Sequence, residues 1–281
     1  MTYSIIARDP VSGDLGAATQ TRYLAVGATV PWARPGTGVV VTQALTEPAH
    51  GPRLLDLLAS GTPARAALEA VLAADPSPGF RQVGLIDAAG SIAVHTGERC
   101  IQFAGHVVEQ NHAAVANIAR EPGLPEAMSR AFASAAGSLA RRLAAGLQAG
   151  DEQGGDLRGR QSAALLVVSG DPADPPWSTR VDLRVDDHTD PVREITRLLT
   201  IQEAYGQLSL GINLLFAEAA EASLTHFAAA AELAPDNPQI AFWHAFAAET
   251  SGHPVPRTTP DDPRWAELRR RLGELGLPGP S

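Results

Sequence analysis

The chain has 281 residues, 44% of them hydrophobic, and a formal net charge of −9. It can therefore bury a large core, and it lacks the cationic balance of a protein that binds nucleic acid or an anionic membrane. All 22 basic residues are arginine and the lone cysteine is Cys100, which excludes Schiff-base lysine chemistry, a P-loop lysine, an internal disulfide and a cysteine-rich zinc site.

Thr2 to Asp9 reads as a strand, Asp9 to Asp14 as a turn, and Leu15 to Arg22 as the second strand of a hairpin. A small residue follows Met1, so removal of Met1 would make Thr2 terminal. A terminal threonine carries a hydroxyl nucleophile and an α-amine of pKa near ~8 that can act as its base. The other reading is an ordinary chain start. Ser4 shares Thr2's side of the strand, as a second polar group in a cleft or as a backbone-bonded hydroxyl. Arg22 closes the second strand, where it would pair with a substrate carboxylate or with a structural acid such as Asp186.

Pro31 to Gly38 reads as a loop, and Val39 to Leu45 as a buried strand. Gln43 stands at its end, either as an oxyanion or substrate-amide contact or as a satisfied strand-end side chain. Helices are expected over Gly51 to Ser60 and from Thr62-Pro63 to about Ala74, with Thr62 as the cap. Arg81 to Asp87 and Ser91 to His95 form a hairpin around Ala88-Ala89-Gly90. His95 at its end would orient a substrate or be hydrogen-bonded within the sheet. Cys100 to Ala104 and His106 to Ile118 are read as extended, and Asn117 is an oxyanion-hole candidate or a turn residue.

Leu124 to Ala149 reads as one long helix and Gln153 to Arg160 as a glycine-rich loop. Ser162 to Val168 and Thr179 to Val185 are strands. Ser162 is either a cleft hydroxyl or a strand-start residue. Asp182, Arg184 and Asp186 suggest a charge ladder on one strand face. Asp186, Asp187 and His188 are the competing metal-ligand cluster, disfavoured because a fourth ligand is missing. No metal or other cofactor is expected. A helix from Asp190-Pro191 reaches about Tyr205. Beyond it lie Ala-rich helical stretches, Leu208 to Ala231 and Pro238 to Ser251, then a short helix, Trp265 to Leu275, with Arg269, Arg270 and Arg271 outward. Ser223, Phe227, Ala230 and Pro235 have the spacing of one tetratricopeptide repeat.

Several segments together resemble the DUF1028 family: Met1 to Pro10, Val30 to Arg34, Arg81 to Asp87, His95-Thr96-Gly97, Gly159 to Leu165 and Val181 to His188. That family is similar to N-terminal-nucleophile hydrolases. The resemblance covers residues 1–205 and implies a four-layer αββα sandwich, in line with the α+β order of elements above; the helical, TPR-like extension over 206–281 lies outside it and is read from its own spacing. The resemblance also implies amide hydrolysis by the terminal nucleophile, here Thr2; the residue readings add Gln43 and Asn117 as catalytic partners and Gln20, Arg22, His95, Ser162 and Asp186 facing the substrate. Gln20 stands where the proteasome-type branch has an aspartate, and that branch's lysine has no counterpart. The expected substrate is a small amide or short peptide. The alternative is a non-catalytic binding or assembly protein on a degenerate hydrolase fold. A homo-oligomer, assembled through the helical tail, is expected, with no nucleic-acid or membrane partner. No long apolar run or signal-peptide pattern is present, so the expected location is cytoplasmic.

Overall fold

The computed structural model describes residues 2–175, 177–254 and 262–274. It is a mixed α/β structure with two antiparallel sheets and a C-terminal helical region. The chain divides into two compact units, residues 1–196 and 197–281.

In the first unit, β1 (Thr2–Arg8) pairs with β2 (Leu15–Thr21) and, on its other edge, with β8 (His112–Asn117). Outside these lie β7 (Gly105–Val108) next to β8, and β9 (Ser162–Val168) and β10 (Thr179–Val185) next to β2. The six-stranded order is β10-β9-β2-β1-β8-β7. The second sheet is β3 (Pro31–Arg34), β4 (Gly38–Ala44), β5 (Arg81–Asp87) and β6 (Ile92–Thr96), in that order. The expected Pro31–Gly38 loop is therefore largely an edge strand and its turn. Proline is tolerated at the first residue of such a strand.

Period-two alternation explains how the layers meet. Ile6 of β1, Ala17 of β2, Val39 and Val41 of β4, Ile86 of β5 and Val115 of β8 share one buried cluster, so the sheets pack face to face. The opposite face of the four-stranded sheet, Val40, Val83 and Leu85, packs on α1 (His50–Ala59) and α2 (Ala64–Ala73). The opposite face of the six-stranded sheet packs on α3 (Leu124–Ser134) and α4 (Leu139–Glu152). A Cβ at Gly146 would stand 3.0 Å from Ile5 Cδ1, and one at Gly150 3.0 Å from Tyr3 Cε2. These two glycines let α4 approach β1.

The helix expected from Leu124 to Ala149 is two helices. Gly137 adopts φ 95°, and the Ser138 hydroxyl caps α4 by accepting the Arg141 N–H. Pro63, not Thr62, is the residue preceding α2. Cys100 to Ala104 is loop, and the following extended segment is the β7–β8 hairpin.

α5 (Pro191–Phe216) begins in the first unit and continues into the second. It runs past Tyr205 and breaks before α6 (Ala220–Leu233). α7 (Pro238–Thr250) and α8 (Pro263–Glu274) follow. Ser223, Phe227 and Ala230 are all buried. Arg269 is not on a solvated face: it pairs with Glu249 and lies over the Phe242 ring. Leu275 lies outside the described residues. No helix among the described residues is long and apolar enough to cross a membrane.

Candidate functional site

The layer between the sheets changes chemistry along its length. Toward one end it is aliphatic. At the other, the same alternation brings in Thr2 and Ser4 of β1, Thr21 of β2, Gln43 of β4, Gln82 of β5 and Asn117 of β8, all buried. Strand register makes Thr2 the meeting point, opposite Thr21 on one side and Asn117 on the other.

The polar groups bond one another, with Asn117 Oδ1 left as the buried atom of the group that has no partner. Gln43 Nε2 donates to the Thr2 carbonyl at 2.8 Å and Asn117 Nδ2 donates to it at 3.2 Å. Both amides also donate to Gln82 Oε1, at 2.8 and 3.0 Å. Gln82 Nε2 donates in turn to the Ala116 carbonyl at 2.8 Å and to Thr96 Oγ1 at 2.9 Å. Gln43 Oε1 accepts from the Ser4 hydroxyl at 2.6 Å. A network this connected in a low-dielectric layer holds its members in one geometry. Its product is a fixed Thr2 backbone, with the Thr2 hydroxyl left 3.2 Å from Thr21 Oγ1.

Thr2 and Thr21 both line a cavity of about 380 Å³. Thr2, Thr21, Thr29 and Thr46 contribute hydroxyl-bearing walls; Val26, Val30, Ala44 and Pro48 contribute apolar ones. Tyr23 and Leu45 line it while remaining 71% and 57% exposed, so they form a rim. Among the described lining residues there is no carboxylate and no imidazole; the charged one is Arg158. Three non-glycine residues with positive φ flank the site: Ala25 (54°), Ala44 (72°) and Ile118 (47°). For a β-branched residue such as Ile118 that conformation is strained, and strain of this kind gathers at sites where geometry is imposed.

The sequence-derived candidates separate. Thr2, Gln43 and Asn117 converge, but the two amides are committed to the Thr2 carbonyl, so they position Thr2 rather than await an oxyanion. Ser162 is a structural hydroxyl: it donates to the Tyr23 carbonyl at 2.6 Å and accepts the Val26 N–H at 3.0 Å, fixing the segment that carries two cavity residues. Arg22 is not among the lining residues; its guanidinium donates to Gln161 at 3.0 Å and its backbone N–H to Asp156 at 2.8 Å. His95 bonds the Pro78 carbonyl. Asp186 is exposed and offers its backbone carbonyl to Ala25. The charge ladder reduces to Arg184–Asp182 at 3.1 Å. No three metal-ligating side chains gather among the described residues.

Gln20 is the clearest correction. It pairs with Tyr3 across the hairpin, so it points to the α4 face, away from Thr2. It is fully buried, and neither its Nε2 nor its Oε1 has a hydrogen-bond partner. Beside it the Tyr3 phenol is pushed well above its ordinary pKa, first by burial and then by the Asp151 carboxylate. Leaving a buried amide unpaired costs about 1–3 kcal/mol. Gln20→Leu is therefore expected to raise Tm in calorimetry without altering the site; a lowered Tm would show that the amide has a partner.

Sequence reading missed Gln82, which joins the two amides, and Arg158. It also missed Thr29 and Thr46, which lie in irregular segments with no periodic signal.

A family model described as a family of unknown function (DUF1028) matches residues 2–195. The crystal structure of protein SPO2555 from Silicibacter pomeroyi, also assigned to that family model, is 31% identical, with a TM-score of 0.64 over 72% of this chain and 88% of that one. Anbu (ancestral beta-subunit) from Yersinia bercovieri aligns over 75% of this chain and 96% of its own, at 12% identity and a TM-score of 0.35. No curated protein matches the chain.

Proposed function

This chain belongs to the DUF1028 family, and from that premise and the geometry around Thr2 we propose that it is an amidohydrolase of N-terminal-nucleophile type. One observation carries the reading: Thr2 lines a cavity while two buried amides clamp its carbonyl. A nucleophile held this way needs no reorganisation before attack. The layering of two helices, sheet, sheet and two helices supports the fold that the reading requires.

The described lining residues offer no side-chain base, so the base is Thr2's own α-amine, freed by removal of Met1; Met1 itself lies outside the described residues. The amine takes the Thr2 hydroxyl proton as Oγ1 bonds to the substrate's carbonyl carbon. Collapse of the tetrahedral intermediate breaks the C–N bond, and the amine leaves with that proton. Water then attacks the acyl-threonine ester and releases the acid. Because Gln43 and Asn117 are spent on the Thr2 carbonyl and the Leu45 N–H on the Phe80 carbonyl, the oxyanion donor falls to the backbone N–H of Thr46, another lining residue.

The test is the mass of the N-terminal peptide of purified protein before and after treatment with a β-lactone. The reading requires a peptide that begins at Thr2 and gains the acyl mass. A peptide that retains Met1 and takes no label removes the mechanism and favours the non-catalytic alternative.

A further inference from the structure

The walls of the cavity also describe what fills it. Resting on the reading that amide cleavage occurs at Thr2, we infer that the substrate is a small amide of an apolar α-amino acid whose free carboxylate is held by Arg158. The argument begins with Asp156. Its side chain is fully buried, and it accepts the Arg22 N–H, the Arg158 N–H (both 2.8 Å) and the Arg158 guanidinium through Nε (3.2 Å) and Nη2 (3.1 Å). The carboxylate orients the guanidinium from behind, and an arginine held in this way loses little entropy when it binds an anion.

Charge points the same way. Arg158 is the one charged side chain among the described lining residues. No acid among the described lining residues opposes an anion. The rest of the interior wall is aliphatic and hydroxyl-bearing, which suits one apolar branch and one singly charged carboxylate better than a phosphate dianion. At about 380 Å³ the cavity is at the small end of ligand sites, ~300–1,000 Å³, so it takes one or two residues' worth of ligand.

The experiment uses Thr2→Ala protein, in which the chemistry is removed while the backbone carbonyl held by Gln43 and Asn117 remains. N-acetyl-L-leucine, N-acetyl-L-leucinamide, N-acetylglycine and inorganic phosphate are titrated by calorimetry. The acid is expected to bind at least about tenfold more tightly than its carboxamide, the step that a charge-assisted pair supplies, and more tightly than N-acetylglycine. Arg158→Met is expected to erase the acid's advantage, and Arg158→Lys to keep part of it. Arg158→Met leaves the buried Asp156 carboxylate without its guanidinium, so its Tm is expected to fall; a single cooperative transition above the titration temperature in each variant shows that the fold persists. Equal binding of acid and carboxamide, an advantage that survives Arg158→Met, displacement of the acid by phosphate, or no binding of the acid at millimolar concentration would each overturn the inference. The β-lactone label reports separately: if Thr2 is labelled but acid and carboxamide bind alike, the substrate class fails and the hydrolase reading stands. If the acid binds through Arg158 but Thr2 takes no label, the carboxylate site stands and the hydrolase reading falls.

Discussion

Protein carrying an uncleavable N-terminal extension is expected to lose β-lactone labelling at Thr2, while the same extension at the C terminus leaves labelling intact. The extension converts the α-amine to an amide, which is not a base, and leaves the hydroxyl in place. Deleting the hydroxyl itself, Thr2→Ala, is expected to abolish the ester label on the N-terminal peptide, because no Oγ remains to take the acyl group. Thr2→Ser keeps the oxygen and the amine and should retain a measurable rate. The fold supplies the control. The Thr2 carbonyl keeps its bonds to Gln43 and Asn117 in all these variants, so thermal stability should barely move. Equal labelling of the two tagged proteins would mean that the base is not the amine.

This site was legible where strands alternate. Val39 and Val41 fix the inner face of β4, so Gln43 two residues on must join it. Ala113 and Val115 do the same for Asn117 in β8. The partner of these amides, Gln82, was not legible, because nothing in its own segment tells which strand of the other sheet it will meet. That is a property of sheet-on-sheet packing, set by residues far apart in sequence. Gln20 was legible in the other sense. The hairpin register puts it opposite Tyr3 and off the Thr2 face, and strand parity outranks a resemblance at a single position. Arg158 sits in a glycine-rich loop without periodicity, and bonds to Asp156 that no sequence pattern announces orient it. The break between α3 and α4 was encoded by Gly137 and Ser138, a glycine with positive φ followed by a cap, inside an alanine-rich run that otherwise reads as continuous helix.

Asp75→Asn is expected to be among the most destabilising single changes in the molecule, and to act on the cavity from outside it. Asp75 receives Arg81 Nε at 2.7 Å and Nη2 at 3.2 Å, His50 Nε2 at 2.6 Å and the Ser77 N–H at 2.7 Å. Its side chain is 1% exposed and that of Arg81 9%. The Arg81 bonds, helped by the Ser77 N–H and His50, hold the carboxyl far below the usual carboxylate range against the opposing effect of burial. Removing the charge leaves the Arg81 guanidinium buried without its counterion, at a cost of about 3–5 kcal/mol. Arg81 Nη1 also donates to the Leu45 carbonyl at 2.5 Å, and Leu45 is part of the cavity rim, so a displaced Arg81 should slow β-lactone labelling at Thr2 as well. The pH dependence has a definite sign. A carboxylate with a depressed native pKa contributes stability in full above its unfolded-chain value of ~3.9, and that contribution drains away as pH falls below it toward the native value. Wild-type Tm should therefore fall on acidification through that window more steeply than the Tm of Asp75→Asn, and the two curves should converge at the acid end. Parallel curves would assign the acid sensitivity to other carboxylates. A native-like Tm for Asp75→Asn at neutral pH would mean that Arg81 finds a second partner.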